Sequence, residues 1–435
     1  MAQRDKPAAQ VKPKSELMTV DPAQPAMPET VSYSLYGNGH TGLEYITRPT
    51  PSAKLAVTFA NYDSLDIHAP GYAEAFLLQR GYDVLALKCN INNWYQDLSR
   101  ETLKDIVSKR LPAYETILTY GSDMGGYAAM YFADAIGAQT VIALSPQLSN
   151  DPEIVPFDVR WAADAARMTF HHEPLTDILR HSGATHYVVY DPYSPDAGHA
   201  HMMLEASNYV MLVPAPYTGH PAGVVLEQMN LLPALFDSLA RGDVPNLRAQ
   251  MRKRRDRSSG YLFNLAKACA ARGHNGAADT LFKQVYERRD FAQAQVEYSR
   301  FLLRQGKADE ALALLNKTWP VIAHDVTMIA FRAHLQYLTG QFDDALASFD
   351  TAIAREPDIL AFYKDERTLL RDLIQQQKHE LRLTTSALDR TRAELTLKRG
   401  ADPDKLDARA LVMLIGLPLL VLTLLIVIVI SFRLT

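Results

Sequence analysis

The run Gly121-Ser122-Asp123-Met124-Gly125 sets a carboxylate between two glycines, where a strand-forming stretch (ETILTYG from Glu115) gives way to a helical one (Gly125 to Ile136). A tight strand-to-helix turn strains the backbone of its central residue, so the neighbours must be small. Gly121 and Gly125 stand at −2 and +2, and Gly126, Ala128 and Ala129 let the helix lie close to a sheet. The helix start would aim backbone N–H groups and a positive dipole end at anything reacting there. GSDMGG has neither the G-x-G-x-x-G spacing nor the lysine of a phosphate-cradling loop, which argues against a nucleotide site. Two further ionisable residues occupy comparable places. Asp191 ends the run THYVVYD, and His220 sits in the loop PAPYTGHPAG after the next run. Other groupings are weaker. His199 and His201 with Asp196 read as a polar helix start rather than as metal ligands. The neighbours His171 and His172 point apart on any regular element. With no CxxC or Cys/His zinc spacing, neither a metal nor a cofactor is expected.

The elements that would carry these residues alternate. Short apolar runs start at Val31, Leu43, Leu55, Tyr82, Glu115, Thr140, Thr185 and Asn208. Helical stretches lie at Gly71 to Gln79, Leu98 to Arg110, Gly125 to Ile136 and Pro221 to Leu239. The later runs are nearly continuous in Val, Ile, Leu, Ala and Tyr, as strands covered on both faces are. The class is therefore α/β, with a mostly parallel, doubly wound sheet over residues 31–242. The first two runs form an antiparallel edge hairpin turning at Gly37-Asn38-Gly39.

From Lys54 to Leu239 the chain resembles the α/β-hydrolases. The family's nucleophile elbow is a G-x-nucleophile-x-G turn between strand and helix, and its nucleophile, acid and histidine follow one another along the chain. The resemblance implies Asp123 as nucleophile, Asp191 as acid, with Asp196 in reserve, and His220 as base. It implies an oxyanion hole made by the backbone N–H of Met124 and a second donor at Asn61 or Tyr62. Trp94, Tyr95 and Tyr127 are the substrate-binding candidates; the aromatic pair after Asn92-Asn93 suits a sugar or an apolar group. The sequence departs from the family at the centre of the elbow. Most members carry Ser there, whereas here Ser122 comes one position early.

Three readings follow. Asp123 attacks an alkyl carbon to form an ester, as in haloalkane dehalogenases and epoxide hydrolases of this fold, and a His220-activated water cleaves it. Those enzymes usually carry a cap, and the insertion Asn150 to Gly183 is short, with Trp161, Met168 and Phe170 to line a small lid. Alternatively, Asp123 ended an ancestral serine chemistry and the fold persists as a binding module. Or the domain is a scaffold and a second region acts. The leading expectation is a hydrolase acting on a small-molecule or carbohydrate-linked substrate; the alternative is an inactive fold serving protein interaction at a membrane.

That second region is helical and repetitive. Gly273, Gly306 and Gly340 are spaced 33 and 34 apart; an alanine follows each by five (Ala278, Ala311, Ala345), then an apolar residue (Phe282, Leu315, Phe349). The pattern over 258–358, with Glu356-Pro357-Asp358 after the third unit, resembles the tetratricopeptide repeat. The resemblance implies stacked hairpins with a groove for a peptide or protein partner. A helical stalk or weak coiled coil spans 361–398, with Ile374, Leu381, Leu388 and Leu395 seven apart but the alternate positions mostly polar. Residues 410–432 (ALVMLIGLPLLVLTLLIVIVISF) hold no charge and are long enough to cross a bilayer. Lys398, Arg399, Lys405 and Arg409 precede them, which places the main domains in the cytoplasm. Residues 1–30 read as a disordered leader. Two cysteines and a formal net charge of −4 argue against a disulfide scaffold and against nucleic acid as partner.

Overall fold

The computed structural model describes residues 29–288, 292–356 and 360–399. Residues 1–28 of the leader and the apolar run 410–432 lie outside the described residues, as do residues 357–359 after the third repeat. Among the described residues, no helix is long and apolar enough to cross a membrane. The chain divides between residues 294 and 295 into two compact units.

The first unit is built on eight strands: β1 (Val31–Gly37), β2 (Thr41–Thr47), β3 (Lys54–Phe59), β4 (Asp83–Cys89), β5 (Thr116–Ser122), β6 (Thr140–Leu144), β7 (Thr185–Tyr190) and β8 (Val210–Pro214). They form one sheet in the order β1-β2-β4-β3-β5-β6-β7-β8. The β1–β2 and β2–β4 pairs are antiparallel and the rest are parallel. An antiparallel hairpin leading into a parallel sheet, with the glycine-flanked strand-to-helix turn after β5, is the α/β-hydrolase topology. Central strands such as β4 are buried along their length, in keeping with their nearly continuous apolar runs; Asp83 and Lys88 at the two ends of β4 are buried with the rest.

Helices α1 (Glu74–Gln79), α2 (Arg100–Arg110) and α3 (Met124–Phe132) join the strands up to β6. Ser99 caps α2 by accepting from Thr102 N–H. The insertion after β6 carries α4 (Ala162–Ala165) and α5 (Leu175–His181); α6 (Asp196–Ala206) lies between β7 and β8. The stretch after β8, read as one helix from the sequence, is two: α7 (Ala222–Gln228) and α8 (Leu232–Leu239). The break falls at Asn230, whose φ of 52° no helix accommodates. A short basic helix, α9 (Leu247–Arg254), follows.

The first helical hairpin, α10 (Ser259–Ala271) and α11 (Asn275–Arg288), belongs to this first unit. The first unit therefore runs on through the polar stretch 241–258. The reason is local: Ser259 to Phe263, the whole first turn of α10, is buried.

The helices continue as α12 (Ala292–Arg304), α13 (Ala308–Ile322), α14 (Val326–Leu338), α15 (Phe342–Arg355) and α16 (Leu360–Arg399). Gly273, Gly306 and Gly340 each take positive φ between the two helices of a hairpin. Ala278, Ala311 and Ala345 are fully buried, and Phe282, Leu315 and Phe349 fill the space beside them. The second unit packs Ala333, Ala345, Phe349 and Leu370 into one cluster. Leu370 and Ile374 of α16 are thus used within the unit, while Leu388 is exposed.

Candidate active site

At the end of β5 the backbone of Asp123 stands at φ 58°, ψ −123°. An L-residue holds such a conformation only where its surroundings enforce it. The glycines show why the turn closes. A Cβ on Gly121 would meet Gly125 O at 2.0 Å, and one on Gly125 would meet Phe59 O at 2.5 Å. Any larger side chain at either place would push α3 off the sheet. Phe59 pairs with Gly121 in the ladder, so the loop after β3, with Asn61 and Tyr62, lies beside the start of α3 and Met124.

The Asp123 side chain is buried and meets two groups. His220 Nε2 lies 3.2 Å from its Oδ1, as an ion pair without hydrogen-bond alignment. Gln147 Nε2 donates to the same oxygen at 2.6 Å. The Gln147 amide has its orientation fixed from behind. Trp94 Nε1, which can only donate, reaches Gln147 Oε1 at 3.1 Å, so the NH₂ must face Asp123.

His220 meets a carboxylate on its other side as well, and this one is Asp196: Nδ1 lies 3.0 and 3.1 Å from its two oxygens. Asp191, expected there, is buried and otherwise engaged. Its Oδ1 accepts from Tyr193 and Tyr217 N–H at 2.9 and 3.1 Å, and its Oδ2 from Gly219 N–H at 2.7 Å. Those donors use the acceptor directions a histidine would need. The pairing therefore passes to the reserve candidate, five residues on at the start of α6.

Electrostatics follow the geometry. Burial works against a charged His220 ring, but the Asp123 and Asp196 carboxylates outweigh it and push His220 up to about 9. Burial would raise Asp196; its contacts with His220 and Arg160 prevail and hold it below the usual carboxylate range. Arg160 Nη2 bridges Asp196 Oδ1 at 2.8 Å and Asp158 Oδ2 at 2.6 Å. His199 Nε2 lies 2.9 Å from Asp158 Oδ2 while its Nδ1 accepts from Leu148 N–H, so the ring is held from both sides away from the Asp123 site. Asp191 is raised by burial, against the pull of its three N–H donors, and the nearby Asp196 adds to the rise.

The insertion supplies a roof. Trp161 meets the His220 ring at 5.6 Å, Tyr62 at 4.6 Å and Trp94 at 5.6 Å. Its Nε1 is buried and has no partner. Tyr62 donates its hydroxyl to Asp164 Oδ2 at 2.9 Å, which ties the loop after β3 to the same insertion. Met168 packs inside, accepting a contact from Asn150, whereas Phe170 is exposed.

The substrate-binding candidates make the following contacts. Tyr95 is wholly buried, and its hydroxyl reaches Ala60 O and Leu87 O at 3.1 and 3.2 Å, an anchor between two strand ends. Trp94 orients Gln147. Tyr127 pairs with His172 Nδ1 at 3.0 Å, in a cleft lined also by Leu148, Asn150 and Phe170. Sequence reasoning passed over Gln147, Asp158 and Arg160. The signal for Gln147 was its place just after β6, the strand beside the elbow; nothing marked Arg160. Among the described residues no group of three His, Cys, Asp or Glu side chains is arranged to hold a metal ion.

Comparison with known proteins adds one family match and several of fold. The tetratricopeptide repeat family matches residues 292–317, across α12 and α13. No curated protein sequence matches. The capsule O-acetyltransferase of Neisseria meningitidis serogroup A is 14% identical, covering 47% of this chain and 93% of its own, with a TM-score of 0.35. An esterase of Pyrococcus furiosus is 12% identical over 50% and 92%, TM-score 0.36. Dienelactone hydrolase from Anabaena variabilis is 14% identical over 51% and 100%, TM-score 0.36. The chain thus joins an α/β-hydrolase fold, read from its own strand order and elbow, to a run of tetratricopeptide-like repeats.

Proposed function

We propose that the first unit is a hydrolase that uses Asp123 as a carboxylate nucleophile toward an electrophilic alkyl carbon. The observation that carries this reading is the histidine bridge: His220 between Asp123 at 3.2 Å and Asp196 at 3.0 Å, beneath the Trp161 roof. Asp123 attacks the carbon, an ester forms, and the leaving group departs with the bonding electrons. Esterification removes the Asp123 charge, and with it one of the two influences that keep His220 protonated. The ring's affinity for its proton falls at the step that needs a base. His220 gives its proton to the departing group or to solvent, and the neutral ring can then draw a proton from water, which attacks the ester carbonyl. Backbone N–H groups of Met124 and of Asn61 or Tyr62 would hold the resulting oxyanion. Collapse releases the alcohol and restores Asp123.

The apolar run 410–432 supports a single membrane span with the main units on the cytoplasmic side. A second reading, an interaction scaffold on an inactive hydrolase fold, draws its support from the repeat match at 292–317. Wild type and Asp123→Asn, assayed against primary alkyl bromides and terminal epoxides, separate the two. Turnover by the wild type, reduced at least about 10³-fold in the variant, is the enzyme's result. A wild type inert to the whole panel, with Asp123→Ser able to hydrolyse p-nitrophenyl acetate, is the scaffold's.

A further inference from the structure

The loop that presents His220 is held from two sides. From within the hydrolase fold, the Asp191 carboxylate gathers Tyr193, Tyr217 and Gly219 N–H. This joins the turn that leads to Asp196 to the turn that leads to His220. From outside, the partner is the first helical hairpin. Asn264 of α10 donates its Nδ2 to Tyr217 O at 3.3 Å. Tyr261 of α10 packs edge-on against the Tyr217 ring, which stacks on Tyr193 at 4.8 Å. Arg272 closes the stack, over the Tyr193 ring and 3.3 Å from the Tyr217 hydroxyl. The helix after His220 is held too: a Cβ on Gly260 would stand 3.0 Å from Val225 Cγ2, and Ser258 donates to Gln228.

The loop needs such support because its own backbone does not favour the conformation. Tyr217 and Gly219 stand at φ 65° and 68°. For tyrosine that conformation lies above the ordinary ones in energy. It persists only if the surroundings over-determine it. A Cβ on Gly219 would lie 2.7 Å from Asn264 Nδ2, so the loop and α10 are in direct contact.

We propose that the first repeat-like hairpin, α10–α11, is the outer wall of the active-site loop, and that Asn264 is a positioning residue for His220. The proposal rests on the Asp123–His220–Asp196 reading above. It explains why the first unit ends after α11 and not at the polar stretch near residue 242. It also makes the start of the repeats part of the chemistry: a displacement of α10 would reach His220 through Tyr217 and Gly219 without touching either carboxylate.

The test is the titration of the His220 ring, followed by NMR in the full-length, histidine-labelled protein, with the signal assigned by its loss in His220→Gln. The wild-type midpoint is expected well above the ordinary histidine value of about 6.5. Asn264→Leu, similar in size but without the amide, should lower it by about one pH unit as the ring slips from its carboxylates. A raised wild-type midpoint that Asn264→Leu leaves unchanged overturns the inference alone. A wild-type midpoint at or below about 6.5 overturns the bridging reading itself, and the inference with it. Should Asn264→Leu not fold, Tyr261→Leu asks the same question through the Tyr217 ring that Tyr261 packs against. Loss of that edge-on contact should also lower the midpoint, and a Tyr261→Leu midpoint equal to the wild type's counts against α10 as the wall.

Discussion

Asp123 and Asp191 close strands of the same sheet, both buried, both in turns that bend the chain sharply. Their surroundings differ in kind. The three N–H groups around Asp191 are backbone and cannot give up a proton or move. Around Asp123 stand a histidine shared with a second carboxylate and an amide fixed by a tryptophan. A carboxylate satisfied by backbone is an organiser of chain geometry. One addressed by ionisable side chains, on a strained turn beneath a roof, is placed to react. Position at a strand end does not distinguish the two; the identity of the donors does.

The largest test of that contrast is a pair of isosteric substitutions. Asp196→Asn should lower turnover by roughly 10³–10⁴-fold, because His220 loses its orienting charge, and should also lower the melting temperature, because Arg160 and His220 both lose the carboxylate they pair with. Asp191→Asn should act on stability with little effect on turnover. With an NH₂ facing backbone N–H groups, it should cost about 1–3 kcal/mol of stability, with turnover of the folded fraction reduced no more than about tenfold. Paired activity and denaturation measurements on both variants decide the matter, and an exchange of the two outcomes would invert the assignment.

A smaller effect belongs to pH. The folded-state pKa of His220 is raised, so its stabilisation is complete below the unfolded value of about 6.5 and is lost as pH rises through about 9. The stability difference between wild type and His220→Gln should therefore be greatest near pH 6. It should shrink by a few kcal/mol at most by pH 10, in urea titrations at about those two values. A difference that grows with pH would mean the ring is not paired with carboxylates.

The smallest expected effect is at Trp94→Phe, which keeps the ring in the roof but removes the N–H that orients Gln147. The Gln147 amide is then free to turn its oxygen toward Asp123. A loss of about 0.5–1.5 kcal/mol in transition-state stabilisation is expected, read as a several-fold fall in kcat/KM. An unchanged kcat/KM would detach Gln147 from the chemistry.

Much of this was legible in the sequence where sterics dictate residue type. Only small residues fit beside Gly125 O and Phe59 O, so the elbow is written in its glycines. Repeat glycines at positive φ, followed by fully buried alanines, are equally plain. The choice between Asp191 and Asp196 was not legible. Two of the three donors that occupy Asp191 come from Tyr217 and Gly219, a strand away, and no local pattern reports them. Trp94 and Tyr95 stand at φ 49° and 57° without a glycine to mark the turn. Their side chains are buried in the core, which no local pattern reports. The polar stretch near residue 242 has the composition of a linker. The contact between α10 and the His220 loop depends on Asn264 and Tyr261, which look ordinary in a helix.

The most direct test of the central claim is a trap. In His220→Gln, Asp123 can still attack an alkyl electrophile, but no base remains to activate the water that would release it. After incubation with a primary alkyl bromide or a terminal epoxide, mass spectrometry of the digested protein should show the alkyl adduct on the peptide that carries Asp123. The adduct should be absent when Asp123→Asn is added to the same chain. No adduct on that peptide, with every electrophile that the wild type consumes, would contradict Asp123 as the nucleophile.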